Sequence, residues 1–180
     1  SSVLGREVMN NVNELMVPHI RRLKTYQGVD PMEVMAEQAG IPPEKVIRLN
    51  GNENPYGGSP KAIEAVANTP LHIYPDPLQR KIRQALSEYT GASVEPIIVG
   101  AGADELIDLL FRIFVDPGDS IVECDPTFGM YGFCARVAGG EIELVPRDEL
   151  FEIEVEAVKK EADSRTKIIF ISSLNNPTGN

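Results

Sequence analysis

Residues 97–114 confine this chain to few folds. Ile97-Ile98-Val99 is a short β-branched run, Gly100-Ala101-Gly102-Ala103-Asp104-Glu105 interrupts it, and Leu106, Ile107, Leu109, Leu110, Ile113 and Phe114 then recur at helical spacing. A strand passed through small residues into a helix leaves the first-turn N–H groups without acceptors, with the positive end of the helix dipole behind them. Such a turn suits a phosphate or carboxylate, and the glycines let an anion approach the backbone. It equally suits an ordinary strand-to-helix turn whose Asp104 and Glu105 complement the dipole. A dinucleotide fingerprint would need a third glycine where Glu105 stands, and a P-loop would need Gly-Lys-Ser/Thr; neither is present.

The pattern continues downstream. Asp116-Pro117-Gly118-Asp119 reads as a turn, Ser120–Cys124 as a strand, Met130 to Ala138 as a helix closed by Gly139-Gly140, and Glu141–Val145 as a strand. Phe151–Val155 alternates, the residues after it to Ala162 read as helix, and Lys167 to Ser172 is again a strand. Strands alternating with helices imply crossovers and a mostly parallel sheet, the α/β class. Ligands on such sheets bind at the carboxyl ends of the strands. Gly100–Glu105, Asp125–Phe128 and Leu174–Gly179 each follow a strand, so all three are expected on one rim.

The first half is less regular. Asn10 to Leu23 carries a helical pattern broken at Pro18, and Asp30-Pro31 starts a second helix that Gly40 stops; together they read as a helical arm. A short strand at Val46–Leu49 enters the polar loop Asn50–Gly58, and Ser59-Pro60 supplies an N-cap and first-turn proline for a helix to Ala67. In Tyr74-Pro75-Asp76-Pro77 each proline restrains its predecessor to extended geometry, which holds Tyr74 out. A helix from Leu78 to Tyr89 follows, stopped by Gly91.

A formal net charge of −10 argues against nucleic acid or an anionic membrane as main partner. No apolar run reaches membrane-span length, and no signal-peptide core stands at the start. Cys124 and Cys134 without a paired framework fit a reducing, cytoplasmic setting, and with only His19 and His72 no metal site is expected. An anion cradle, Phe128 just after a strand, a projecting Tyr74 and Asn176 ahead of Pro-Thr-Gly together suit a planar, phosphorylated, hydroxyl-bearing aromatic ring, which describes pyridoxal 5′-phosphate.

Five motifs in order, Asn-Glu-Asn-Pro-Tyr-Gly (52–57), Tyr-Pro-Asp-Pro (74–77), Gly-Ala-Asp-Glu-Leu (102–106), Pro-Thr-Phe-Gly-Met-Tyr (126–131) and Asn-Asn-Pro-Thr-Gly (175–179), resemble the histidinol-phosphate aminotransferase family. The resemblance runs from about Tyr26 to the last residue and implies a fold-type-I pyridoxal-phosphate transferase with an N-terminal helical arm. It implies that the amides of Ala103, Asp104 and Glu105 hold the cofactor phosphate, that Phe128 stacks on the ring where the family more often has tyrosine, and that Asn176 hydrogen-bonds the ring hydroxyl. Tyr74 matches a tyrosine that reaches the phosphate in a neighbouring subunit, implying a homodimer; Tyr26, Asn52, Glu53 and Asn54 lie where the family contacts substrate.

The implied reaction is transamination between histidinol phosphate and 2-oxoglutarate, giving glutamate, in histidine biosynthesis. Alternatives are an aromatic-amino-acid aminotransferase, a threonine-phosphate decarboxylase, or a non-catalytic module that binds the cofactor as a sensor. The family's Schiff-base lysine lies past its Asn-Pro-Thr-Gly motif, and Lys24, Lys45, Lys61, Lys81, Lys159, Lys160 and Lys167 do not match it. The expectation is therefore the N-terminal part of a longer enzyme, inactive alone. Residues 1–58 would form the arm and substrate-side loop, and 59–180 the first part of the cofactor-binding domain.

Overall fold

Strand β1 (Ser120–Asp125) is the centre of the fold. In the computed structural model, which describes residues 13–26 and 28–180, it lies between β2 (Glu141–Pro146) and β3 (Thr166–Phe170), and both pairings are parallel. Ser120 pairs with Glu141 and Asp125 with Pro146 on one side. On the other, an irregularity skips Lys167, so that Ile121 faces Ile168. A central parallel strand is covered on both faces, and β1 is buried from Ser120 to Cys124.

The two faces carry separate clusters. Ile121 packs with Ile107, Phe111 and Val115 of the preceding helical segment and with Cys134 and Ala135. Val122 and Cys124 pack on the opposite face with Val145 and Val158. The first face is roofed by α5 (Ala103–Phe114) and α6 (Met130–Ala138), the second by α7 (Val155–Glu161). Gly139 ends α6 at φ 81°, a left-handed cap that glycine adopts without a Cβ clash.

The remaining helices are α1 (Pro18–Arg21), α2 (Met32–Ala39), α3 (Pro60–Ala67) and α4 (Arg80–Thr90). The kinked helix expected over Asn10–Leu23 falls partly outside the described residues; from residue 13 on, a short helical turn precedes α1 and the break stands just before Pro18. Ser59 occupies the N-cap position of α3 without making a side-chain cap bond. Instead, the clearest carboxylate cap is at α4. Asp76 Oδ1 accepts from the Leu78 amide (3.1 Å) and Oδ2 from the Arg80 amide (3.1 Å), and Arg80 Nη1 donates to Oδ1 at 2.8 Å.

Two expected strands do not form. Val46–Leu49 and Ile97–Val99 are not strand in the structure. Ile98 is 76 % exposed, and with Leu106, Leu109, Leu110 and Ile113 it lines an apolar groove of about 250 Å³ along the outer side of α5. β3 ends at Phe170, short of the expected Ser172, and residues 151–154 are not strand.

Contacts group Thr25–Lys81 as one compact unit and residues 13–24 with Ile82–Asn180 as another, so the boundary expected at 58/59 lies inside the smaller unit.

Candidate cofactor and substrate site

Parallel strands deliver their following loops to one edge of the sheet. The loop after β1, Pro126-Thr127-Phe128, and the loop after β3, Leu174 to Gly179, meet at that edge, and one side chain joins them. Asn175, 3 % exposed, accepts at Oδ1 from the hydroxyls of Thr127 (2.9 Å) and Ser172 (2.8 Å). Its Nδ2 donates to the Pro126 carbonyl (3.0 Å) and to Thr178 Oγ1 (2.7 Å). The backbone closes the same loop: Asn175 N–H donates to Asn180 O at 2.9 Å and Gly179 N–H to Asn175 O at 2.7 Å. Phe128 and Asn176, the two sequence-predicted residues on these loops, are thereby brought to the same edge, each half-buried.

Phe128 is held from behind by aromatic packing. Its ring meets Tyr131 edge-on, with centroids 5.7 Å apart and planes at 86°. Tyr131 stacks on Phe170 at 4.2 Å, and Phe170 on Phe111 at 5.8 Å. This run of rings anchors the edge of the site to the core, at about 0.5–1.5 kcal/mol per ring pair beyond burial. Only Phe128 of the four was legible as a site residue. Tyr131, on α6, and Phe170, at the end of β3, are far apart in sequence and meet only in the folded chain.

The glycine turn heads α5 on the same face of the sheet. Gly102 stands at the N-cap with φ 99° and ψ 174°, backbone geometry that only glycine adopts readily, and a Cβ built there would meet nothing within 4 Å. Its open side and the first-turn amides of Ala103, Asp104 and Glu105, which have no acceptor within the helix, suit an anion. The Glu105 carboxylate is turned back to accept from the Ala101 amide, and a Cβ at Gly100 would lie 2.7 Å from that carboxylate. So the Glu105 side chain braces the turn, while its backbone N–H remains a candidate ligand.

The other expected residues lie in the smaller unit. Tyr74 is 98 % exposed, and Tyr26 is exposed. Asn52 sits at φ 51°, and Glu53 pairs with Arg48. Asn54 is occupied within its own loop: Nδ2 donates to Gly57 O (2.8 Å) and Oδ1 accepts from the Tyr56 amide (3.0 Å). Among the described residues no group of His, Cys, Asp and Glu could hold a metal ion, and no helix is long and apolar enough to cross a membrane.

Residues 44–180 match the pattern of the family described as aminotransferase class I and II. A protein from Roseiflexus castenholzii named histidinol-phosphate aminotransferase is 45 % identical over 176 residues, which cover 94 % of this chain and 47 % of that protein. An Arabidopsis thaliana protein named histidinol-phosphate aminotransferase 1, chloroplastic, is 44 % identical over 90 % of this chain and 39 % of its own length. The chain thus spans about half the length, or less, of these curated relatives. Among solved structures, histidinol-phosphate aminotransferase from Sinorhizobium meliloti in complex with pyridoxal-5′-phosphate superposes with a TM-score of 0.75 at 22 % identity, over 91 % of this chain and 43 % of that one. A Thermus thermophilus aspartate aminotransferase mutant gives 0.73 at 25 % identity, over 91 % of this chain and 46 % of its own.

Proposed function

The chain belongs to the class I and II aminotransferase family, and from that premise we propose that it is the first part of a pyridoxal-phosphate enzyme that transaminates histidinol phosphate with 2-oxoglutarate. The observation that carries the reading is the meeting of the Phe128 and Asn176 loops at the carboxyl edge of neighbouring parallel strands; α5, packed on the same side of the sheet as Phe128, has an N-terminus open at Gly102. Names of relatives at 44–45 % identity support the substrate.

The residues present fit the cofactor. The first-turn amides of Ala103, Asp104 and Glu105 offer donors to a phosphate dianion, and Gly102 leaves space where a side chain would obstruct it. Phe128 supplies an apolar face for a flat ring, without the hydroxyl a tyrosine would add. The Asn176 amide supplies a hydrogen bond to a ring hydroxyl. When bound, pyridoxal phosphate provides the electron sink that lets an amino group pass between amino and keto acids.

The chain's own contribution is then binding and orientation: anion capture at α5, ring placement by Phe128 and fixing of the hydroxyl by Asn176. Tyr74, exposed on a connector that Pro75 and Pro77 stiffen, is suited to reach the phosphate of a second copy, so the reading includes a homodimer. Tyr26 and the Asn52–Asn54 loop are the substrate-side residues in this reading. Glu53 and Asn54 act there through loop shape, because their side chains are engaged locally. Buried, free Cys124 and Cys134 accord with a reducing compartment.

The test is direct. The full-length protein, loaded with pyridoxal phosphate, is offered histidinol phosphate, phenylalanine or threonine phosphate with 2-oxoglutarate, and glutamate is measured. A kcat/KM at least tenfold higher for histidinol phosphate supports the reading. Preference for an aromatic amino acid, or carbon dioxide release from threonine phosphate, replaces the substrate. Cofactor binding without turnover of any of the three favours the sensor module.

A further inference from the structure

Asn175 is not among the residues to which the proposed reading gives a contact with cofactor or substrate, yet it is the most completely bonded side chain at the site. We propose that Asn175 is a positioning residue, which sets the distance between the ring-facing Phe128 and the hydroxyl-binding Asn176 by clamping the residues immediately before each of them.

An asparagine amide has two donor hydrogens and two acceptor lone pairs. Here all four are used, by Thr127, Ser172, Pro126 and Thr178, in a site 3 % exposed. The orientation of the amide is fixed by chemistry as well as by fit. Turning it over would set Oδ1 against the Pro126 carbonyl, two acceptors face to face, whereas the hydroxyls of Thr127 and Ser172 tolerate either end.

Pro126 and Thr127 lead directly into Phe128, and Asn175 leads directly into Asn176. One amide therefore spans 48–49 positions of sequence to link two loops, and each loop carries one proposed cofactor contact. The bonds from Asn180 and Gly179 to the Asn175 backbone keep its own loop from yielding. Displacement of the clamp moves Phe128 relative to Asn176, so the ring cannot lie on one while its hydroxyl meets the other. A purely structural residue would lower stability without this paired effect.

This inference rests on the proposed cofactor reading, and the experiment separates the two. The full-length protein and its variants Asn175→Asp, Thr127→Val and Thr127→Ser are titrated with pyridoxal phosphate by absorbance. The pH midpoint of the bound cofactor's absorbance band is recorded, along with the melting temperature of the cofactor-free protein. Asn175→Asp removes both donors and faces the Pro126 carbonyl with an acceptor; Thr127→Val removes one hydroxyl at constant shape; Thr127→Ser retains it.

Expected are about a tenfold weaker Kd and a displaced pH midpoint for Thr127→Val, a larger loss for Asn175→Asp, and near-parental values for Thr127→Ser. If Asn175→Asp does not fold, the threonine pair carries the test. Variants that melt lower but keep parental Kd and pH midpoint overturn the positioning role and leave the cofactor reading standing. Failure of the parental protein to bind the cofactor overturns both.

Discussion

The carboxylate of Glu123 lies under Gly132: a Cβ built on that glycine would meet Oε1 at 3.1 Å and Oε2 at 3.5 Å. The small residue on α6 makes room for an acid on the central strand. Glu123 is 8 % exposed, and its Oε2 has no hydrogen-bond partner. Burial pushes its carboxyl above the usual range, Arg136 pulls it down and Asp125 pushes it up. A raised folded-state value means that the folded chain holds the proton more tightly than the unfolded one. The associated stability is complete below the unfolded-chain value and is lost as pH rises through the folded one. Glu123→Gln should therefore match the parent near pH 4 and exceed it by about 1–3 kcal/mol near pH 8 in urea unfolding. Equal midpoints at both pH values would show that the buried charge costs nothing.

Asp76 has the opposite sign. The amides of Arg80 and Leu78, and then the Arg80 charge, hold its carboxyl below the usual range. The cap it forms on α4 is present above the unfolded-chain value and is lost as pH falls through the lowered folded value. Asp76→Ala should reduce helical circular dichroism near neutral pH and coincide with the parent in strong acid. A difference that persists in acid would assign the loss to something other than the charged cap.

Gly102 and Gly118 make a matched pair. Both have strongly positive φ (99° and 98°), and a Cβ at either meets nothing within 4 Å. Each should lose about 1–3 kcal/mol of stability when replaced by valine. In the full-length protein, only Gly102→Val should also weaken pyridoxal phosphate binding by tenfold or more, because only that turn opens on the proposed cradle. Equal effects of the two substitutions on cofactor titration would count against the cradle.

How much of this was legible beforehand depended on whether a feature is local. β1, β2 and the helices around them follow from apolar spacing and turn residues, and the structure carries them within a residue or two. Ile97–Val99 and Val46–Leu49 have β-branched or apolar composition too, yet a strand exists only through its ladder, and neither segment is strand in the structure. Phe128 and Asn176 stood out because the resemblance gives each a contact with the cofactor. Asn175 did not, because the meaning of a buried amide lies in its partners, which are 48 and 49 residues away at Thr127 and Pro126. The Glu105 brace was hidden for a simpler reason: an acid in the first turn of a helix reads as a dipole complement whichever way its side chain folds.

Tyr74 gives a test of shared sites. In the full-length protein, Tyr74→Phe should weaken cofactor retention and leave the melting temperature of the cofactor-free subunit unchanged, since the ring is almost wholly exposed. Mixing subunits that carry Tyr74→Phe with subunits that carry Gly102→Val should restore one intact site per mixed pair. No recovery on mixing would place Tyr74 at its own subunit's site or at none.

None of this chain's lysines matches the motif of the family's anchoring lysine, and for Lys167 the structure adds a reason. Its ammonium group lies 3.4 Å from Asp119, which precedes β1 and so stands at the amino edge of the sheet, away from the loops carrying Phe128 and Asn176. Borohydride reduction of the 180-residue chain with pyridoxal phosphate, followed by peptide mapping, should find no stoichiometric site among its lysines. A single, fully labelled lysine would reverse that expectation.

The stacked run from Phe128 to Phe111 also gives the molecule an optical signature. The chain contains no tryptophan and five tyrosines, and Tyr26, Tyr56, Tyr74 and Tyr89 are all exposed. Tyr131 is held between rings, 4.2 Å from Phe170 and edge-on to Phe128. A chromophore in a fixed asymmetric environment dominates near-ultraviolet circular dichroism, whereas freely rotating ones contribute little. Tyr131 thus places a tyrosine signal at the margin of the site, and loosening of Phe128 will register there without any label.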